Sequence, residues 1–159
     1  MSGDRGQGSR VPTAAVLLGA AGLLPPLLAL FVRLAAGADP ESQLPGMVGA
    51  LALIYSAVIL SFLGGIWWGV AVVRAPMEEQ ASLFGLAVVP SILAVLLVGL
   101  SLRWPVIAST LLGLVIFATP LVDRALRARQ LLPPWWMRLR VPLSLALGAL
   151  TIGLGLLIG

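Results

Sequence analysis

The side chains with which this chain can do chemistry are few: ten arginines, six acids, and neither cysteine nor histidine. Without thiol or imidazole there is no disulfide framework, thiolate nucleophile, imidazole proton shuttle or ordinary zinc site. The only adjacent acids are Glu78–Glu79, in the stretch RAPMEEQ, and no basic catalytic partner stands beside them. No P-loop, GxSxG, zinc motif or glycine-rich dinucleotide fingerprint occurs. The sequence therefore predicts no enzymatic activity, no metal and no cofactor. Arg33, Arg74, Arg103 and Asp123 fall near the ends of apolar runs, where side chains reach water, and no charge sits near the middle of one. Ion-coupled carriers usually need such a charge, and no internal repeat marks an inverted transporter.

The densest chemistry lies in RALRARQLLPPWWMRLR. Arg124, Arg127, Arg138 and Arg140 flank an apolar patch of Leu131, Leu132, Trp135 and Trp136. Such a segment is expected to lie in the inner interface, apolar residues in the acyl boundary and guanidiniums on anionic headgroups. Each surface arginine adds roughly 1 kcal/mol of attraction to an anionic leaflet. An ordinary basic loop with an aromatic belt is the plainer reading; a specific headgroup or partner-protein site is the sharper one. Asp123 is expected to pair locally with Arg124 and Arg127. The formal net charge of +4 is assigned to membrane topology and anionic lipid, with no nucleic-acid partner.

The elements that must position these residues are membrane spans. Hydrophobic residues make up 60% of the 159 and charged residues 10%, where a soluble domain carries about 25% charged. Apolar runs at about 11–36, 46–73, 81–101, 104–122 and 141–159 each reach the roughly 20 residues that a spanning helix needs. The predicted fold is all-α, a polytopic membrane protein with a bundle of five transmembrane helices as a single domain over 11–159. Residues 1–10, MSGDRGQGSR, read as a disordered cytoplasmic tail. Pro12, Pro105 and Pro142 stand where helix first turns are expected. Pro25–Pro26 and Pro90 lie inside spans and should kink them, freeing carbonyls for neighbouring helices to satisfy.

Arginine placement orients the chain. With the N-terminus cytoplasmic, the inner side collects Arg5, Arg10, Arg74, Arg124, Arg127, Arg129, Arg138 and Arg140, against Arg33 and Arg103 outside, a strong positive-inside bias. The C-terminus is then periplasmic. A competing reading takes the start as a secretory signal cut near Ala36-Gly37-Ala38, but the apolar run is too long and Arg33 intervenes.

In the second span, YSAVILSFLGGIWWG, the residues Ala57, Ser61, Gly65 and Gly69 recur every four positions and form a small-residue ladder. In lipid, association comes from van der Waals contact and short-range polar bonds, so small side chains let backbones approach. This ladder is predicted to make the second span the central, tightly contacted helix. A second stripe, Ser144, Gly148, Thr151, Gly155 and Gly159, is its candidate partner on the fifth span. Tyr55, Ser56 and Ser61 are predicted to bond between helices, and Trp67–Trp68 to settle at headgroup level.

The stretch YSAVILSFLGGIWWG, with AGLLPPLLAL, VVPSILAVLL and PPWWMRLRVPLSL, resembles the transmembrane protein 69-like family of small proteobacterial and mitochondrial membrane proteins. The resemblance covers nearly the whole chain. It implies a bacterial inner membrane, or its mitochondrial descendant, and a core pairing the second span with the entrance of the fifth. It implies no catalytic residue. Trp67 and Trp136 depart from it, standing where a polar or basic residue and a tyrosine, respectively, are expected. The leading functional expectation is a structural, accessory or assembly role with a membrane complex and a possible membrane-protein partner. The alternative is a small carrier or lipid-handling protein with a cavity near Pro25, Tyr55, Ser61 and Pro90; a lipid-modifying enzyme comes last.

Overall fold

The computed structural model describes residues 10–35 and 43–158. The expected tail up to residue 9, the Ala36-Gly37-Ala38 site, Asp39, Glu41 and Gly159 lie outside them. Within the described residues the chain is all-helical: α1 (Thr13–Ala21), α2 (Leu24–Ala35), α3 (Leu44–Arg74), α4 (Met77–Ser101), α5 (Pro105–Ala128) and α6 (Trp136–Ile158). Together α1 and α2 make one span, and five segments are long and apolar enough to cross a membrane.

Proline chemistry sets most boundaries. Ala75, before Pro76, is extended and ends α3, because a residue before proline is pushed out of the helical region. Glu78 and Glu79 then occupy the first turn of α4, where the helix dipole favours negative charge. Trp104, before Pro105, is likewise non-helical, and Pro105 opens α5. In the first span Pro25 and Pro26 cannot donate to the carbonyls of Ala21 and Gly22. There the helix breaks, and the Tyr55 hydroxyl of α3 donates to the freed Gly22 carbonyl at 2.8 Å.

The arginine-tryptophan segment is not the interfacial loop that its composition predicts. The fourth span runs on through Asp123, Arg124 and Arg127 to Ala128, and the fifth begins at Trp136, so Pro142 lies inside α6 rather than at its start. The reversal between them is a tight helix stop. Gln130 takes φ 60°, its N–H donates to the Arg127 carbonyl at 2.9 Å, and the Leu131 N–H donates to the Leu126 carbonyl at 3.1 Å. This is a Schellman motif with glutamine in the place glycine usually fills. Its apolar companion is present too: Leu126 and Leu131 share a buried cluster with Leu132, Trp67, Ala71, Leu83 and Ala87. Leu131 and Leu132 thus pack into protein and not into the acyl boundary.

Two antiparallel hairpins, α3–α4 and α5–α6, form the most extensive contacts, and α3 touches each of the other four spans. The second span is central, as its composition suggests, but through a different register from the expected ladder. Ala57 is buried and Ser61 meets Ser91 of α4 at 2.8 Å. Gly65 and Gly69, however, are exposed, and a Cβ on either would meet no atom of another helix within 4 Å. The close approach is made by Gly64, where a Cβ would run into the Ala87 carbonyl and the Pro90 ring. The buried ridge follows residues 53, 57, 60, 64, 67 and 71; Gly65 is one residue off it, about 100° round the helix, and Gly69 is two residues from both 67 and 71, farther round still.

Ser144, Gly148, Thr151 and Gly155 of the fifth-span stripe are buried, chiefly against α5. A Cβ on Gly148 would meet the Gly113 carbonyl at 2.9 Å, and one on Gly155 would collide with Ser109. Its link to α3 is polar: Thr151 and Ser56 hydroxyls meet at 2.8 Å. Tyr55, Ser56 and Ser61 therefore each bond between helices.

Candidate functional site

Asp123 of α5 is the deepest charge in the bundle, fully buried at 0% exposure. Its Oδ2 accepts from Nε of Arg140 on α6 at 2.9 Å, and its Oδ1 accepts from the Trp67 indole N–H on α3 at 2.8 Å. One carboxylate thereby ties three spans together. Arg140 Nη2 donates to Thr119 Oγ1 at 3.1 Å. The single Thr119 hydroxyl proton is committed to the Ile116 carbonyl at 2.8 Å, so Ser144, 3.3 Å from Thr119 Oγ1, donates there and keeps its lone pairs. Thr119 and Asp123 are four residues apart, as are Arg140 and Ser144, so each pair lies along one helix face.

Two sequence expectations change here. Arg140 is only 7% exposed and is no headgroup ligand on the surface; Asp123 takes it, rather than Arg124 or Arg127, as its ion-pair partner. Trp67 is 4% exposed, turned inward onto Asp123 instead of resting at the headgroups. Arg124, Arg127 and Arg138 are exposed, while Trp135 and Trp136 are half-buried with their rings 5.7 Å apart. The four-residue spacing of the polar groups on α5 and α6 was the available signal for this network. It passes unnoticed when Asp123 and Arg140 are read as loop residues.

Beside the ion pair runs a cavity of about 410 Å³. Its walls come from α1 (Ala15, Leu18, Gly19), α3 (Ile59, Phe62, Leu63, Ile66) and α6 (Leu139, Leu143, Leu147), with Ile116 of α5 behind. Leu18 and Phe62 are exposed, so the groove opens sideways between the first and second spans. Trp136, Arg140 and Ser144 line it from the first turns of α6. Trp136 Nε1 is buried with no hydrogen-bond partner, and among the described residues Arg140 Nη1 makes no hydrogen bond either. None of Pro25, Tyr55, Ser61 and Pro90, where a cavity was expected, lines the groove, although Tyr55 bonds to Gly22, which does; Pro25 borders a depression formed by α2. An apolar trough with hydrogen-bond donors grouped at one end offers complementary surface to both parts of an amphipathic molecule.

Residues 11–156 match a family described as a protein of unknown function (DUF3429). The chain belongs to this family. The match takes in every helix that bounds the groove and all five residues of the Asp123 network. No curated protein and no solved structure matches the chain.

Proposed function

We propose that this protein binds an amphipathic, lipid-like molecule within the membrane, in a lipid-handling role without covalent chemistry. The observation that carries this reading is the sideways-open apolar groove ending at Trp136, Arg140 and Ser144. Its volume falls in the range of about 300–1,000 Å³ usual for small-molecule sites and suits a single chain better than a whole two-chain phospholipid. The first span, which supplies one wall, is the least embedded: 11% of its apolar window is buried, against 39% for the second. A loosely held wall lets a molecule enter from the bilayer.

The test is purification in mild detergent with identification of bound lipid by native mass spectrometry. A lipid should be retained by the parent protein and lost from Ala15→Phe, which fills the groove at half-buried Ala15 and should leave thermal stability intact. Equal retention by both proteins would overturn the reading.

A second role, as an accessory subunit, has its own support. The outward strip with Gly65 and Gly69 leaves α3 backbone bare on the membrane-facing surface, and small residues permit close helix association in lipid. Disulfide crosslinking of Gly65→Cys to a co-expressed partner or second copy tests it; failure to crosslink in native membranes counts against it. For location, we place the protein in a bacterial inner membrane, N-terminus cytoplasmic and C-terminus periplasmic. The eight-to-two arginine bias and the transmembrane protein 69-like resemblance support this. Cysteines introduced at Ser42 and Gln130 test the orientation: only Ser42→Cys should react with an impermeant reagent from the periplasm.

A further inference from the structure

Among the described residues, two unpartnered donors at the end of the groove, Trp136 Nε1, which is buried, and Arg140 Nη1, define the head of its occupant. We infer that the site selects an amphiphile with an oxyanion head, a carboxylate or a phosphate, held by Arg140 Nη1 and Trp136 Nε1, and rejects the same chain with a neutral hydroxyl head. The inference rests on the lipid-binding reading of the groove and adds the chemistry of the ligand.

The donors are unlike the other polar atoms of the bundle. Tyr55, Ser56, Ser61, Trp67, Thr119 and Thr151 are all satisfied by protein partners. Trp136 Nε1 alone among the described residues is a buried side-chain polar atom with no partner, and such atoms are rare because desolvation leaves them costly. Phenylalanine would fill the same space without this cost, so the indole N–H calls for an acceptor that the protein itself does not provide. Arg140 meets the same groove with a guanidinium of which Nε and Nη2 are engaged by Asp123 and Thr119. Those two bonds fix the plane of the guanidinium and leave Nη1 as the terminal nitrogen that no acceptor among the described residues engages.

An acceptor head therefore meets one charged and one neutral donor. Hydrogen bonds from a guanidinium to an oxyanion are roughly twice as strong as neutral ones, and the low-dielectric surroundings raise their weight. A hydroxyl head brings its own donor proton, and only the Ser144 lone pairs are available to receive it. Asp123 acts as a positioning residue: it neutralises Arg140 in the apo protein and holds its orientation without entering the groove. The polar end lies in the first turns of α6, on the arginine-rich side of the bundle with Arg124, Arg127 and Arg138. An acyl or isoprenoid chain would then run from the leaflet surface toward Leu147 at mid-span.

The test titrates the purified full chain in non-ionic detergent with oleate, oleyl alcohol and oleoyl-lysophosphatidylglycerol, counting bound ligand by native mass spectrometry. Oleate, lysophosphatidylglycerol or both should bind about tenfold or more tighter than the alcohol, each tenfold corresponding to about 1.4 kcal/mol. Whichever of the two binds tighter identifies the head as carboxylate or phosphodiester. Trp136→Phe keeps the ring and removes the donor; Arg140→Lys keeps the charge opposite Asp123 and removes Nη1. Each should weaken the anionic probes several-fold and leave the alcohol unchanged, a split that a merely structural role would not produce. Equal binding of anion and alcohol, both lost in Ala15→Phe, would overturn the oxyanion inference while sparing the groove. Binding of every probe that is indifferent to Ala15→Phe would sink the groove itself.

Discussion

The second span carries two doublets, Gly64–Gly65 and Trp67–Trp68, and the bundle treats the two members of each in opposite ways. Gly64 lies against the Ala87 carbonyl, whereas Gly65 meets nothing outside its own helix. Trp67 is sealed in and donates to Asp123, whereas Trp68 is 46% exposed and leans on the Phe84 ring at 4.6 Å. Composition is identical within each doublet; the difference is about 100° of helix rotation. A membrane helix thus has an inward face, where a glycine is required by a backbone passing close by, and an outward face, where the same residue is merely permitted. The chemistry follows the inward face, because only there can an indole N–H complete a buried carboxylate.

The contrast can be broken most severely at Asp123. Asp123→Ala leaves the Arg140 guanidinium buried and uncompensated, an expected loss of about 3–5 kcal/mol read as a large fall in thermal stability in detergent. Replacing both partners, Asp123→Leu with Arg140→Met, should recover most of that loss, because an apolar pair avoids the desolvation of two ions. Failure of the double variant to recover would mean that the pair does more than balance itself.

Gly64→Leu comes next, with overpacking against Ala87 and Pro90 costing about 1–3 kcal/mol or more. The adjacent Gly65→Leu should fall within about 0.5 kcal/mol of the parent. Equal losses at the two positions would mean that the outward strip is covered after all, by a partner or a second copy. Trp67→Phe removes one hydrogen bond to a charged acceptor, an expected cost of about 1.5–3 kcal/mol, while Trp68→Phe should be nearly silent; comparable melting temperatures for these two would reverse the assignment of faces. Smallest of all is Arg129→Gln. It breaks the exposed 2.8 Å pair with Glu79, and exposed pairs contribute about 0.2–1 kcal/mol, with any effect vanishing at high salt.

Much of the architecture was legible beforehand for definite reasons. The interruption at Pro25–Pro26 was visible because proline removes a donor wherever it falls; that Tyr55 is the group that answers the freed Gly22 carbonyl came only from the structure. The interhelical roles of Ser56 and Ser61 were visible because a hydroxyl in lipid must find an acceptor. The ends of the fourth and fifth spans were not legible. Asp123 and Arg140 look like loop residues when charge is taken to mean water, yet each neutralises the other inside the helices. Gln130 in a left-handed helix stop carries no sequence signal, since glycine or asparagine is the residue that usually announces one. Gly65 and Gly69 misled for the complementary reason: a four-residue spacing shows that two residues share a face, and does not show which way that face points.

The sequence by itself determined the number of spans, because hydropathy is a sum over consecutive residues and needs no partner to be evaluated. Arginine counts, proline positions and the missing nucleophiles belong to the same class of local property. Only the tertiary structure decided which glycine is pressed against a neighbour, which arginine meets Asp123, and that a groove opens beside them. Those outcomes depend on the rotation and depth of each helix relative to the others. Packing across the whole bundle sets both, and no stretch of sequence read alone contains them.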